Sequence, residues 1–181
     1  MTAYKKIYEE AIGNFGLFRA SEAAGLGISR TAILKLAQRN RLERLGRGVY
    51  RICDYVPDSN GLDAYAIAVA VCGDEAYLYG PSVLAMHGIC PADPSKIYVA
   101  TPNRFRGRVP NGIELKANAA TRNEIRLVEG IRAQAVDDAI LDSLHTIMLP
   151  RLLDAVDKAV DKGLLDKVQA EKTIKELYRN D

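Results

Sequence analysis

The chain has few cysteines, no long apolar run and none of the compact motifs of common enzymes. Cys53, Cys72 and Cys90 are its only cysteines, and they form no Cys-x-x-Cys pair, which argues against a disulfide framework and a structural zinc site. The most apolar stretch, 64–73, has about half the length that a membrane span needs. The first residues lack the apolar core of a signal peptide. We therefore expect a cytoplasmic protein that does not associate with a membrane.

Candidates for metal binding or catalysis are sparse. His87 and Cys90 form a His-x-x-Cys pair, but two ligands do not complete a zinc site. Asp137, Asp138 and Asp142 fall near one face of a predicted helix and could hold a metal, yet acidic residues are common in a first helical turn because the helix dipole favours them. No serine–histidine–aspartate set, glycine-rich phosphate loop or metalloprotease motif is visible. The sequence predicts no catalytic residue, no metal site and no cofactor.

Charge is distributed unevenly along the chain. Residues 1–56 carry ten Lys/Arg and five Asp/Glu, a net charge of +5, whereas the remainder carries fifteen against eighteen, a net charge of −3. Between residues 30 and 51 a single acidic residue, Glu43, accompanies seven basic ones: Arg30, Lys35, Arg39, Arg41, Arg44, Arg47 and Arg51. A polyanionic partner is therefore expected to meet the N-terminal part.

Three helices are predicted at the start of the chain, over residues 3–14, 20–24 and 29–40. Ser21 is a candidate cap for the second helix, and Ser29 is the expected N-cap of the third. Three short helices followed by a hairpin are the order of elements that a winged helix-turn-helix requires.

The predicted hairpin spans residues 42–52, with two strands around a Gly46-Arg47-Gly48 tip, where glycine tolerates the positive φ of a tight turn. Residues 54–61 then have the composition of a linker. We therefore predict a winged helix-turn-helix DNA-binding domain over residues 1–56 and a second domain over residues 62–181.

The third helix is the predicted recognition helix. If it buries Ile33, Leu36 and Ala37, its other side carries Arg30, Thr31, Leu34, Lys35 and Gln38. Of these, Arg30, Thr31 and Lys35 are candidates for contact with base edges, because a recognition helix places its N-terminal residues there. The full predicted DNA-binding set is Ser29, Arg30, Thr31, Lys35, Gln38, Arg39, Arg41, Arg44 and Arg47, its last four arginines being expected at phosphates or in the minor groove. The alternative, a solvated helix face and a charged hairpin, is disfavoured because compensating acidic residues are nearly absent.

The second part predicts a mixed α/β domain ending in helices, so the fold class of the whole chain is α+β. Its expected strands are 76–79, 96–101, 113–117, 125–128 and 131–134, and its expected helices are 62–72, 81–87, 136–147, 150–162 and 166–179. Arg104, Arg106 and Arg108 alternate with Phe105 in a loop without acidic residues. This loop is either a second nucleic-acid contact or a solvated connection between strands, and the sequence leaves both open.

Several segments resemble AbiEi-type antitoxins, the antitoxin halves of AbiE abortive-infection, or type IV, toxin–antitoxin systems. In the winged-helix part these are residues 16–25, 28–31 and 42–51, and in the second part 76–89, 97–104 and 139–144 are similar to the family's later motifs. The resemblance implies a non-enzymatic repressor of its own operon that binds inverted repeats in promoter DNA. It also implies a C-terminal domain that counteracts a toxin with a nucleotidyltransferase-like fold.

Two other functions stay open at the level of sequence. One is a ligand-responsive transcription factor whose second domain senses a small molecule. The other is a nuclease-type enzyme with a winged-helix appendage, whose activity would depend on a divalent metal and on Asp137, Asp138 or Asp142. A neighbouring gene for a nucleotidyltransferase-like protein would favour the antitoxin over the ligand sensor.

Overall fold

The computed structural model describes residues 2–57, 60–91, 95–120 and 124–180. Backbone contacts divide the chain into an N-terminal unit, Met1–Val71, and a C-terminal unit, Cys72–Asp181. Of the predicted linker, Asp58 and Ser59 lie outside the described residues. The domain limits 1–56 and 62–181 therefore stay a prediction, and the division between the two units falls later, inside the third α-helix.

The N-terminal unit has the element order of a winged helix-turn-helix. Its helices are α1 (Ala3–Ala11), a 3₁₀ turn (Glu22–Ala24), α2 (Arg30–Gln38) and α3 (Asp63–Cys72), and its strands are β1 (Leu17–Arg19), β2 (Leu42–Gly46) and β3 (Val49–Ile52). The strands form an antiparallel sheet in the order β1-β3-β2, with Tyr50 opposite both Phe18 and Arg44. Both the α+β class and the N-terminal winged helix are confirmed.

An apolar core joins α1, the 3₁₀ turn and α2 to the sheet. Ile7 of α1, Phe18 of β1, Ile33 of α2 and Ile52 of β3 belong to one buried cluster, and each is at most 2% exposed. Apolar residues from four elements meet here because each element carries one apolar face, so burying the four faces together is what fixes α2 against the sheet.

The structure corrects three details of the predicted N-terminal elements. The first helix ends at Ala11 rather than at residue 14, and the chain then passes through positive φ at Phe15 (54°) and Gly16 (68°). The second helix is a single 3₁₀ turn, and Ser21 makes no capping hydrogen bond to it. Strand β1 was not predicted, because three residues are too few to show the alternation of a strand.

In its described residues the C-terminal unit contains a five-stranded mixed sheet and four helices. The strands are β4 (Tyr77–Leu78), β5 (Ile97–Ala100), β6 (Ile113–Lys116), β7 (Ile125–Val128) and β8 (Ile131–Gln134), in the order β6-β5-β4-β8-β7. The helices are α4 (Pro81–Met86), α5 (Val136–Asp142), α6 (Leu149–Asp161) and α7 (Lys167–Asn180). All the predicted elements are present, and β7 and β8 pair as an antiparallel hairpin. Helix α5 is shorter than predicted, ending at Asp142 instead of residue 147.

Buried polar side chains link the sheet of this unit to its helices. The Gln134 side chain accepts a hydrogen bond from the backbone N–H of Gly80 (3.1 Å) and donates one to the Asp142 carboxylate (2.7 Å). The Ser82 hydroxyl accepts a hydrogen bond from the backbone N–H of Tyr98 (2.7 Å). These bonds satisfy groups that burial removes from water, and they hold the start of α4 and the end of α5 in place relative to the strands.

Candidate nucleic-acid interface

Helix α2 begins at the predicted cap and divides into a buried and an exposed side. The hydroxyl of Ser29 accepts a hydrogen bond from the backbone N–H of Ala32 (3.2 Å), which confirms Ser29 as the N-cap. Ile33 is 2% exposed and anchors the buried side. The residues on the exposed side are Arg30, Thr31, Leu34, Lys35 and Gln38. Every residue that the sequence placed on the outer face of this helix is therefore accessible to a ligand.

The hairpin β2–β3 forms the wing, and its tip is fixed in two ways. Gly48 has a φ of +74°, a conformation that favours glycine, and its carbonyl accepts a hydrogen bond from the backbone N–H of Ala20 (2.8 Å). Pairing of the strands shifts between Arg44 and Gly46, and the Arg44 Nε donates to the Gly46 carbonyl across this irregularity (3.2 Å). Arg47 is exposed at the tip, as the sequence predicted.

A groove of about 590 Å³ separates the 3₁₀ turn and α2 from the wing. Ile33 and Tyr50 contribute apolar surface to it, and Arg30, Arg44 and Arg47 bring cationic groups from both α2 and the wing. None of the described residues that line this groove is acidic. The fold thus brings three predicted DNA-binding residues, from two elements, to the rim of one uncompensated basic groove.

Arg41 is held by neighbouring side chains of the N-terminal unit. Its guanidinium lies 4.3 Å from the centroid of the Tyr4 ring and 3.3 Å from the Asp54 carboxylate. The Tyr4 hydroxyl donates a hydrogen bond to the same carboxylate (2.5 Å). Burial, then this hydrogen bond and the charge of Asp54, raise the pKa of Tyr4 to about 12. The arrangement ties α1 to the residues that flank the wing, so Arg41 already has a structural role.

Arg51, which is not in the predicted set, forms an ion pair with Glu43 across the wing (2.8 Å). The remaining basic residues of the set differ from Arg51 in their ion pairing. No ion pair with any residue that the structure describes is formed by Arg30, Lys35, Arg39, Arg44 or Arg47. Their charge is uncompensated, which is the condition under which basic side chains attract phosphates.

Leu34 is a residue of this face to which sequence reasoning assigned no role. Among residues 29–52, all of which the structure describes, it is the only large apolar side chain that is exposed, at 45%. It also lines the basic groove beside Arg30. The available signal was an apolar residue on an otherwise polar arc of a helix.

The other candidate residues do not assemble into a metal site. His87 ends α4, and burial followed by the charge of Lys162 lowers the pKa of its imidazole. Cys90 is buried, and the Asp142 carboxylate accepts the hydrogen bond from Gln134. Asp138 is buried at the start of α5. In the described ranges there is no group of three or more His, Cys, Asp or Glu side chains arranged to hold a metal ion.

The arginine-rich loop joins β5 to β6 in the C-terminal unit. Arg104, Arg106 and Arg108 are exposed, whereas Phe105 is half-buried. At the base of the loop, the Asn103 amide donates a hydrogen bond to the Glu75 carboxylate (2.7 Å). The loop presents its guanidinium groups to solvent, and a second nucleic-acid contact there stays a prediction.

None of the helices in the described part of the chain combines the length and apolarity of a membrane-spanning segment.

Helices α1 and α2, the 3₁₀ turn and the three-stranded sheet give the N-terminal unit the fold of a winged helix-turn-helix, and a basic groove lies beside its wing. Residues 5–52 match the family model described as "Transcriptional regulator, AbiEi antitoxin", which covers about a quarter of the chain. Over this part the match confirms the resemblance to AbiEi-type antitoxins and supports the class of DNA-binding antitoxin and transcriptional regulator. No curated protein matches the chain.

Proposed function

We propose that this protein is a DNA-binding antitoxin that represses its own operon and counteracts a nucleotidyltransferase-like toxin. The observation that carries the DNA-binding part is the basic groove, in which α2 and the wing each supply arginines and no lining residue among those described is acidic. Helix α2 enters the major groove of an operator duplex, and the wing holds the adjacent backbone.

Individual residues have separate roles in this proposal. Arg30, Thr31, Lys35 and Gln38 face base edges or the phosphates next to them, because they share the exposed side of α2. Arg39 at the end of α2, with Arg44 and Arg47 of the wing, neutralises phosphates. Ser29 contributes by capping α2, which keeps the first turn of the recognition helix formed. Arg41 supports the fold through Tyr4 and Asp54.

The operator is proposed to contain inverted repeats. One recognition helix reads only a few base pairs, and regulators of this class gain affinity by occupying two half-sites related by symmetry. Repression follows because a protein bound to the promoter prevents other proteins from binding there. The family resemblance supports this arrangement.

Neutralisation of the toxin is proposed to depend on the C-terminal unit. Residues after position 56 carry a net charge of −3, which disfavours a general affinity for nucleic acid. The support for a toxin partner is the family match together with the similarity of residues 76–89, 97–104 and 139–144 to the later motifs of AbiEi-type antitoxins.

The DNA-binding part is tested with the full chain and duplex DNA from the region upstream of its own gene. Fluorescence anisotropy at several salt concentrations should show tight binding to this duplex and much weaker binding to a scrambled duplex of equal length. The Arg30→Ala/Arg47→Ala variant should lose this preference. Lys172→Ala is the matched control, because it removes an exposed basic side chain from α7 and should bind like the unaltered chain. Equal affinity for both duplexes would refute specific operator binding.

The toxin-neutralising part is tested by growth. Cells that express the nucleotidyltransferase-like protein encoded beside this gene should stop growing, and co-expression of the full chain from an unrelated promoter should restore growth. Operator binding that is abolished by a small molecule, with no rescue of growth, would instead support a ligand-responsive transcription factor. Metal-dependent cleavage of DNA that is lost with Asp142→Asn would support the nuclease.

A further inference from the structure

Leu34 lies on the proposed recognition helix, and the residues that the structure describes leave nearly half of it uncovered. Taking about 100° per residue, the residues around the exposed arc follow one another in the order Arg30, Leu34, Gln38, Thr31, Lys35. Leu34 is therefore inside the arc, flanked by polar side chains, instead of at its border with the core. Exposure of 45% leaves much of its side chain in contact with water in the free protein.

The surroundings of Leu34 indicate what covers it in a complex. The groove that it lines also contains the side chains of Arg30, Arg44 and Arg47, and no acidic residue among the described lining. A partner that enters this groove must be polyanionic and must also present a small apolar group within reach of the helix. Duplex DNA has one such group in its major groove, the 5-methyl group of thymine.

We infer that Leu34 reads a thymine methyl group, so that the operator half-site contains a T·A pair where the middle of α2 lies in the major groove. This inference rests on the proposed operator binding and adds to it a base preference. A leucine cannot donate or accept a hydrogen bond, so it distinguishes bases by the methyl group alone. Thymine is preferred over cytosine, which presents a bare C5–H edge and an amino group that the leucine would leave unpaired.

The test removes the methyl group from the DNA and the leucine from the protein. The preferred duplex is first selected from a random pool with the full chain, and each thymine of the selected site is then replaced, one at a time, by deoxyuridine. The unaltered chain should lose affinity at one thymine per half-site, by about fourfold, which corresponds to one buried methyl group. Leu34→Ala should bind the thymine duplex more weakly and should show no further loss when uracil replaces that thymine.

A matched variant controls for the general loss of exposed apolar surface. Ile12 follows α1, is 44% exposed and does not line the groove. Ile12→Ala should therefore bind like the unaltered chain and keep its sensitivity to uracil. Circular dichroism and thermal melting of both variants should confirm that neither change unfolds the domain.

The outcomes separate this inference from the proposed function. If the full chain selects a duplex but no thymine-to-uracil change weakens binding, or if Leu34→Ala retains full sensitivity to uracil, the role of Leu34 is wrong and operator binding stands. If the full chain selects no duplex sequence at all, the proposed operator binding fails and the role of Leu34 fails with it.

Discussion

The two units of this chain place their polar side chains in opposite ways. In the N-terminal unit the buried side chains of the described residues are apolar, and the basic side chains of residues 30–51 lie at the surface of α2 and the wing. In the C-terminal unit several polar side chains are buried, and Gln134 and Ser82 bond to neighbouring elements there. The comparison teaches that the first unit keeps its polar side chains at the surface, where the proposed function uses them for recognition, and the second uses buried ones to set its own internal geometry.

The largest effect is expected when the recognition surface of the N-terminal unit is removed as a whole. Replacing Arg30, Lys35 and Arg47 together by alanine should weaken operator binding by roughly 2–7 kcal/mol, because Arg30 and Lys35 each contribute roughly 1–3 kcal/mol at a base and Arg47 a smaller amount at a phosphate. The variant should fold, lose repression in a reporter assay and still restore growth against the toxin when it is expressed from an unrelated promoter.

The independent promoter matters for this experiment, because loss of repression would otherwise raise the levels of toxin and antitoxin together. A folded triple variant that failed to restore growth would show that the two functions are not divided between the units. The arginine-rich loop, Arg104–Arg108, would then be the first C-terminal segment to test for a share in DNA binding.

The next largest effect is expected inside the C-terminal unit. Gln134→Ala leaves the buried N–H of Gly80 without a partner and removes the hydrogen bond to Asp142, so the free energy of unfolding should fall by about 2–4 kcal/mol. Urea denaturation of the full chain measures this change. Gln38→Ala makes the same truncation at an exposed site of α2 and should change stability by less than about 0.5 kcal/mol. Similar losses in both variants would contradict the contrast between the two units.

Single substitutions on α2 should have intermediate effects that depend on the DNA sequence. Arg30→Ala or Lys35→Ala should weaken operator binding by roughly 1–3 kcal/mol and relax the preference at one base position. Binding titrations over a set of operators with single base changes measure both quantities. If both variants bind the operator as tightly as the unaltered chain and the Lys172→Ala control do, α2 is not the recognition helix.

A smaller effect, independent of DNA sequence, is expected at the tip of the wing. Arg47→Ala should reduce affinity for all duplexes alike and lower the slope of log K against log salt by about one unit, if the guanidinium pairs with one phosphate. Arg51→Ala is the matched control, because Arg51 is already paired with Glu43. An unaltered slope for Arg47→Ala would leave Arg47 without a role at the DNA.

The smallest effect is expected at the Tyr4–Asp54 contact, which supports the fold of the N-terminal unit without facing the groove. Tyr4→Phe removes one hydrogen bond near the surface and should lower the free energy of unfolding by about 0.5 kcal/mol at pH 8. Because the pKa of Tyr4 is raised to about 12 from 10.0, this stabilisation is complete below pH 10 and is lost as the pH rises towards 12. The gap in stability between the two proteins should therefore shrink between pH 8 and pH 11, and operator binding should be the same for both. A gap that widened with pH would contradict the assignment.

Sequence reasoning located helix α2 well because its signals are local. Ser29 caps α2 through a residue three positions away, and the apolar spacing of Ile33 and Leu36 defines the buried side without reference to the rest of the chain. The wing was predicted equally well from the sequence, since Gly48 at its tip has the expected positive φ. Local hydrogen bonds and periodicity operate within a few residues, so the sequence alone was sufficient to predict these elements.

Tertiary structure decided which basic residues remain available to a ligand. In the sequence Arg41 and Arg47 are equivalent members of one basic cluster, yet folding pairs Arg41 with Tyr4 and Asp54, whereas Arg47 at the tip of the wing forms no ion pair with any described residue. Tyr4 and Asp54 are far from each other along the chain, so no local pattern indicates their contact. The same is true of Gln134 and Gly80, which are brought together only by the sheet. Contacts between distant residues depend on the packing of whole elements, and that packing cannot be predicted from local patterns in a single sequence.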